Sequence, residues 1–127
     1  MTDIAADHSK KILVVDDEVD IAEILRLLLD GDGVEVLVAH NGQEALEMVR
    51  EERPQLILSD VMMPVLDGRE LCRRVRADPA TSHITIILMS AAHQKGRGEW
   101  GADAFLRKPF DLLEVLEIVD LYLTPTG

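Results

Sequence analysis

Cysteine is nearly absent. Cys72 is the only one, so no internal disulfide framework can hold this chain. Basic residues are also few: 13 Lys and Arg stand against 24 Asp and Glu, a formal net charge of −11. That balance argues against a nucleic-acid surface, which needs a basic patch. It leaves room for cations, for basic partner surfaces, or for nothing beyond solubility. No apolar run approaches the roughly 20 residues of a membrane span. Met1 to Ser9 is polar and acidic, without the basic-then-apolar order of a signal peptide. The expectation is therefore a cytoplasmic protein, away from membranes and nucleic acids. Internal repeats, low-complexity segments and interdomain linkers are missing too. What remains suffices for one domain with a real core: 127 residues, 47% hydrophobic and 29% charged.

The apolar residues alternate between two patterns. Ile12-Leu13-Val14-Val15 is a continuous run that ends at Asp16-Asp17, the mark of a strand buried on both faces. Val19 to Asp30 then places Ile21, Ile24, Leu25, Leu28 and Leu29 at helical spacing, and Gly31 and Gly33 stop it. Val34 to Ala39 is a second strand, whose Glu35 suggests a sheet edge. Asn41 and Gly42 open a helix to Glu52 carrying Ala45, Leu46, Met48 and Val49, and Pro54 breaks it. Leu56 to Ser59 is a third strand, ending at Asp60. Asp67 can cap a helix over Gly68 to Ala77, with Leu71, a half-buried Cys72 and Val75 inward. Ile84 to Met89 and Ala104 to Leu106 are the last two strands, and Asp111 caps a final helix to Leu123. Its core residues are Leu112, Val115, Leu116, Val119 and Leu123, while Leu113, Ile118 and Leu121 pack on a flank or mark an interface. Such alternation predicts an α/β fold: a doubly wound, five-stranded parallel sheet with helices on both faces. The expected division is a flexible tail over 1–9, one domain over 10–123 and a short tail over 124–127.

In such a sheet the C-terminal strand ends share one edge, where ligands bind. Asp16, Asp17, Asp60, Ser90 and Lys108 all fall there. Singly, each has a plainer reading. Asp60 and the aspartate pair could be turn or capping residues, Ser90 a buried serine bonded to backbone, Lys108 a solvated lysine. Together, and in strand order, they form a constellation. Two carboxylates about 4 Å apart repel by roughly 4 kcal/mol at an effective dielectric of 20, so protons or a cation must relieve them. All-oxygen ligation suits Mg²⁺. A metal, a carboxylate nucleophile, an ammonium and a hydroxyl fit phosphoryl transfer onto a carboxylate, giving an aspartyl-phosphate.

These motifs make the chain resemble a two-component response-regulator receiver domain over nearly its whole length. The matching elements are Asp16-Asp17, the stretch Asp60-Val61-Met62-Met63-Pro64-Val65-Leu66-Asp67-Gly68, Ser90-Ala91 and Lys108-Pro109, with Phe105 where the family places its switch aromatic. The resemblance implies strand order 2-1-3-4-5 of the flavodoxin type. It implies Mg²⁺ held by Asp17, Asp60 and the backbone carbonyl of Met62, with Asp16 reaching it through water. It implies that Asp60 takes a phosphoryl group from a histidine kinase or a histidine phosphotransfer protein, and that Lys108 and Ser90 hold its oxygens. Ser90 and Phe105 would then switch together, and the Lys108-Pro109 peptide would be cis. Such a domain catalyses only its own phosphorylation and dephosphorylation. It passes the signal to a downstream protein, with a homodimer as one way of doing so.

Two other functions compete. A Mg²⁺-dependent phosphohydrolase needs a second acid two residues after its nucleophile, and here that residue is Met62. A degenerate, unphosphorylated interaction module would not need the intact acidic set. Met62 and Ala92 stand where the family tunes phosphoryl lifetime, and neither activates a water, so slow self-dephosphorylation is expected. The segment Ala92 to Gly101 departs from the family. It is about one helical turn short and carries Gly96 and Gly98, so a truncated, irregular or mobile helix is predicted. Trp100 reads as a hydrophobic plug or a docking anchor. His93, Lys95 and Arg97 read as a solvated basic spot or one that meets an acidic patch.

Overall fold

The computed structural model describes residues 10–31, 33–91 and 100–123. Five strands, β1 (Lys10–Val15), β2 (Val34–Ala39), β3 (Leu56–Asp60), β4 (Thr85–Ser90) and β5 (Ala104–Arg107), form one parallel sheet in the order β2-β1-β3-β4-β5. Four helices among the described residues connect or follow them: α1 (Val19–Leu29), α2 (Gly42–Glu52), α3 (Gly68–Ala77) and α4 (Leu112–Leu123). The expected fold class and strand order both hold. β2 lies at the sheet edge, as its Glu35 suggested, and its residues are mostly half-buried.

The continuous apolar runs are explained by cover on both sides. Leu13, Val15, Ile57, Ile86 and Leu88 face α2 and α3. Their neighbours Ile12, Val14, Leu56, Leu58, Ile87 and Met89 face α1 and α4. Strand side chains alternate between faces, so only a run without polar breaks can fill two cores at once. Local chemistry sets the helix ends. Asn41 and Asp67 accept hydrogen bonds from the Glu44 and Glu70 N–H groups, at 2.8 and 3.0 Å, which caps α2 and α3. Two glycines allow close packing at those caps. A Cβ on Gly42 would lie 1.9 Å from the Leu66 carbonyl oxygen, and one on Gly68 2.5 Å from that of Asp60.

Several side chains sit differently from their expected places. Ile24 is exposed, because the buried stripe of α1 runs through Ala22, Leu25 and Leu29 and Ile24 lies more than about a third of a turn off its centre. Leu112 and Leu116 of α4 are also exposed, and only Val115 and Val119 are fully covered. Leu112 opens the helix and Leu116 lies on its flank, while β5 beneath is four residues long and at the sheet edge. Cys72 is wholly buried, not half-buried, since α3 presses against the sheet along that line. The expected irregular helix after Ser90 falls largely on residues 92–99, outside the described residues. The basic spot at His93, Lys95 and Arg97, and Ala92, lie there too. So do the expected tails, 1–9 and 124–127.

Candidate functional site

The site follows from strand register. Val15 of β1 pairs with Ser59 of β3, so the next residues, Asp16 and Asp60, emerge side by side. Asp60 pairs with Met89 of β4, which carries Ser90 one step further on. Ser90 pairs with Arg107 of β5, and Lys108 follows. The Lys108 N–H donates to the Ser90 carbonyl at 3.0 Å, extending the ladder past the last paired residues. The Lys108–Pro109 peptide is cis, as the resemblance implied.

These ends converge. Carboxylate oxygens of Asp16, Asp17 and Asp60 lie within 4.8 Å of one another, Asp16 and Asp60 buried and Asp17 exposed. Lys108 Nζ lies 3.2 Å from Asp16, 3.5 Å from Asp60 and 3.7 Å from Glu18. Asp16 also accepts the Glu18 N–H at 2.9 Å, and its carbonyl lies 3.3 Å from His40 Nδ1. Ser90 is buried beside them. A cleft of about 410 Å³, lined by Glu18, Ile21, Ala91, Lys108, Pro109 and Phe110, opens next to the lysine.

Charge in this cluster is unbalanced. Among the described residues one ammonium faces three aspartates, leaving a local charge of −2 before Glu18 is added. Burial pushes the Asp60 carboxyl above its ordinary value. Asp16 adds to that rise, while Lys108 and the Met62 N–H work against it. Burial also disfavours the Lys108 ammonium, but Asp16, Asp60 and Glu18 together outweigh it and raise its pKa. The geometry therefore offers a solvent-facing carboxylate, Asp17, beside two buried ones, Asp16 and Asp60, an all-oxygen donor set of the kind that suits a hard cation.

The expected switch aromatic, Phe105, pairs with Leu88 and lies half-buried against the α2–α3 core. Its ring centroid is 5.7 Å from that of Trp100, which is itself partly buried against the same core. Sequence reasoning missed Glu18, His40 and the two cradling glycines. His40 was accessible through register, since Val15 pairs with Ala39 and the residues after each are Asp16 and His40, and Glu18 through its place two residues after Asp16. Gly42 and Gly68 stood in the sequence only as a helix opener and a motif residue; that each lies against backbone, at Leu66 and at Asp60, is set by the fold.

Comparison with known proteins places this geometry. Residues 12–120 match the family described as the response regulator receiver domain. The response regulator MprA of Mycobacterium ulcerans (strain Agy99) is 43% identical over 110 residues. The match takes in 85% of this chain and 47% of that protein, so this chain spans about half the mycobacterial regulator's length. An uncharacterized 14.6 kDa protein of Leptolyngbya boryana is 41% identical over 115 residues, covering 87% of this chain and 88% of that one. Among solved structures, the receiver domain of the sensor histidine kinase PA1611 of Pseudomonas aeruginosa PAO1 superposes with a TM-score of 0.80. It is 28% identical, over 90% of this chain and 97% of that one, and holds a magnesium ion in its active-site cleft. By fold, by strand-end chemistry and by sequence over most of its length, this chain belongs to the response regulator receiver domain family.

Proposed function

We propose that this domain, spanning residues 10–123, stores a signal as a phosphoryl group on Asp60. One observation carries the reading: the Asp16, Asp17 and Asp60 carboxylates cluster within 4.8 Å while the Lys108 ammonium reaches two of them. A phosphorylated histidine of a kinase or phosphotransfer protein, or a small acyl phosphate, is the donor. An Asp60 carboxylate oxygen attacks phosphorus. The bond from phosphorus to the donor nitrogen or oxygen breaks, and its electron pair leaves with the donor. Lys108 neutralises the oxyanion that arrives, and the Ser90 hydroxyl donates a hydrogen bond to it.

The donor set fits Mg²⁺: hard oxygens, excess negative charge and one exposed carboxylate. Asp17, Asp60 and the Met62 carbonyl would hold it directly, with Asp16 acting through water. When bound, the cation supplies charge neutralisation for the phosphoryl oxygens and for the aspartates themselves. The domain turns over no external substrate, and its output is a changed surface presented to a downstream protein or a second copy. In this reading it works in the cytoplasm, and Met62, exposed beside the site, leaves the phosphoryl group long-lived because it cannot activate water.

The test is intact-mass spectrometry after incubation with acetyl phosphate and Mg²⁺. One phosphoryl mass should appear, vanish with EDTA, and be lost in Asp60→Asn. Absence of the mass gain, or its persistence in Asp60→Asn, would overturn the proposal. A lifetime of seconds in Mg²⁺ would overturn the slow-hydrolysis part alone.

A further inference from the structure

Trp100 is the chain's one tryptophan. Its surroundings link two parts of the molecule that the sheet does not. The Arg69 guanidinium lies 5.4 Å from the indole centroid, in cation–π range. The Phe105 ring lies 5.7 Å away, tilted by 54°. Arg69 occupies the first turn of α3, where its Nη2 also donates to Asp67, the helix cap, at 3.1 Å. Its neighbour Gly68 rests on the Asp60 backbone: the Gly68 N–H donates to the Val61 carbonyl at 2.8 Å, with no room for a Cβ above the Asp60 oxygen. Phe105 lies on β5, three residues before Lys108.

The indole is also anchored through the next residue. Gly101, at φ +85°, turns the chain, and its carbonyl accepts from Arg76 Nε at 2.9 Å. Arg76 also donates to the Ser82 and Ile84 carbonyls and to Asp103, whose carboxylate accepts the Ile86 N–H. The backbone that carries Trp100 is thus tied to α3 and β4.

We propose that Arg69, Trp100 and Phe105 form a brace that couples Asp60 to β5, and that the brace favours the unphosphorylated arrangement. The proposal rests on Asp60 being the phosphoacceptor. A phosphoryl group must be accommodated between the ends of β3, β4 and β5. Any shift of α3's first turn or of Phe105 then pulls apart the packing around the indole. By linkage, an interaction that phosphoryl binding must break weakens that binding, and removing the interaction beforehand strengthens it. Trp100 and Arg69 are positioning residues here, since neither touches the reacting atoms.

Beryllofluoride with Mg²⁺ serves as the phosphoryl probe, titrated into the full chain with ¹⁹F NMR reporting occupancy and Trp100 emission reporting the brace. Emission should shift on saturation in the wild type and stay constant in Asp60→Asn. Arg69→Gln, on an exposed side chain, and Trp100→Leu should each bind beryllofluoride about 5-fold tighter, the lower end of ordinary coupling. A purely structural Trp100 would lower the melting temperature without tightening binding. Occupancy without an emission shift would overturn the brace, as would variants that bind with wild-type or weaker affinity. No occupancy in the wild type would overturn the phosphoacceptor reading, and the brace with it.

Discussion

Asp60 carries a charge that the fold holds at a cost. A carboxyl whose pKa is raised on folding binds its proton more tightly in the folded state. Its contribution therefore favours folding at low pH and is lost as pH rises from the ordinary 3.8 through the raised value. At pH 7 without metal, Asp60→Asn should melt above the wild type. Adding Mg²⁺ should close the gap, stabilising the wild type by about 1.4 kcal/mol at ten times Kd and the variant by less. Equal gains in calorimetry would place the cation elsewhere. Lys108 works in the opposite sense. Its raised pKa gives stability that is full below the ordinary 10.5 and fades as pH rises through the folded value. Between about pH 10 and 12 the wild type should lose more melting temperature than Lys108→Met, and parallel curves would refute this. These residues were legible in the sequence because each ends an apolar run. Their distances were not, since those depend on which strands are neighbours.

Elements differ in how much of themselves the chain announces. The bounds of α3 were readable at both ends, because Asp67 caps it and Asp78-Pro79 cannot continue it. Asp67→Ala should cost about 1 kcal/mol in urea unfolding through the lost cap. Gly68→Ala should cost about 1–3 kcal/mol, because its new methyl meets backbone at 2.5 Å and cannot be accommodated by a side-chain rotation. Gly31→Ala has open space around it and should stay within about 0.5 kcal/mol, so similar losses at both glycines would refute the packing argument. Arg76 went unnoticed in the sequence. Its bonds to Gly101 and Asp103 span 25 and 27 residues, and nothing in the spacing of α3 marks it out from Arg73 or Arg74. Its loss in Arg76→Ala should cost about 2–3 kcal/mol, since Asp103 and several carbonyls lose a charged donor. The apolar pattern of α4 was legible as helical, with Val115, Val119 and Leu123 against the core as expected, but it was read too wide, since Leu112 and Leu116 are exposed. Periodicity defines a stripe, and what covers the stripe depends on the width of the sheet beneath.

The whole molecule is bound by its charge and its two cores. At −11, self-repulsion should make stability rise with ionic strength, because about 0.1 M salt screens charges beyond roughly 10 Å. With EDTA present to exclude divalent ions, the melting temperature should climb as potassium chloride rises from about 0.02 to 0.3 M. A fall would mean that exposed ion pairs, such as those of Glu70 with Arg73 and Arg74, outweigh repulsion. The chain by itself determined the type of each element among the described residues and the parallel class of the sheet. Continuous apolar runs can only be buried on two sides, and parallel strands need crossovers. It also determined which residues stand at strand ends. Only the tertiary structure decided that Asp16, Asp17 and Asp60 share one cleft with Lys108, that Gly68 lies on the Asp60 backbone, and that Trp100 packs with both Arg69 and Phe105. Each of those depends on meetings between segments far apart in sequence, set by strand register and helix cover.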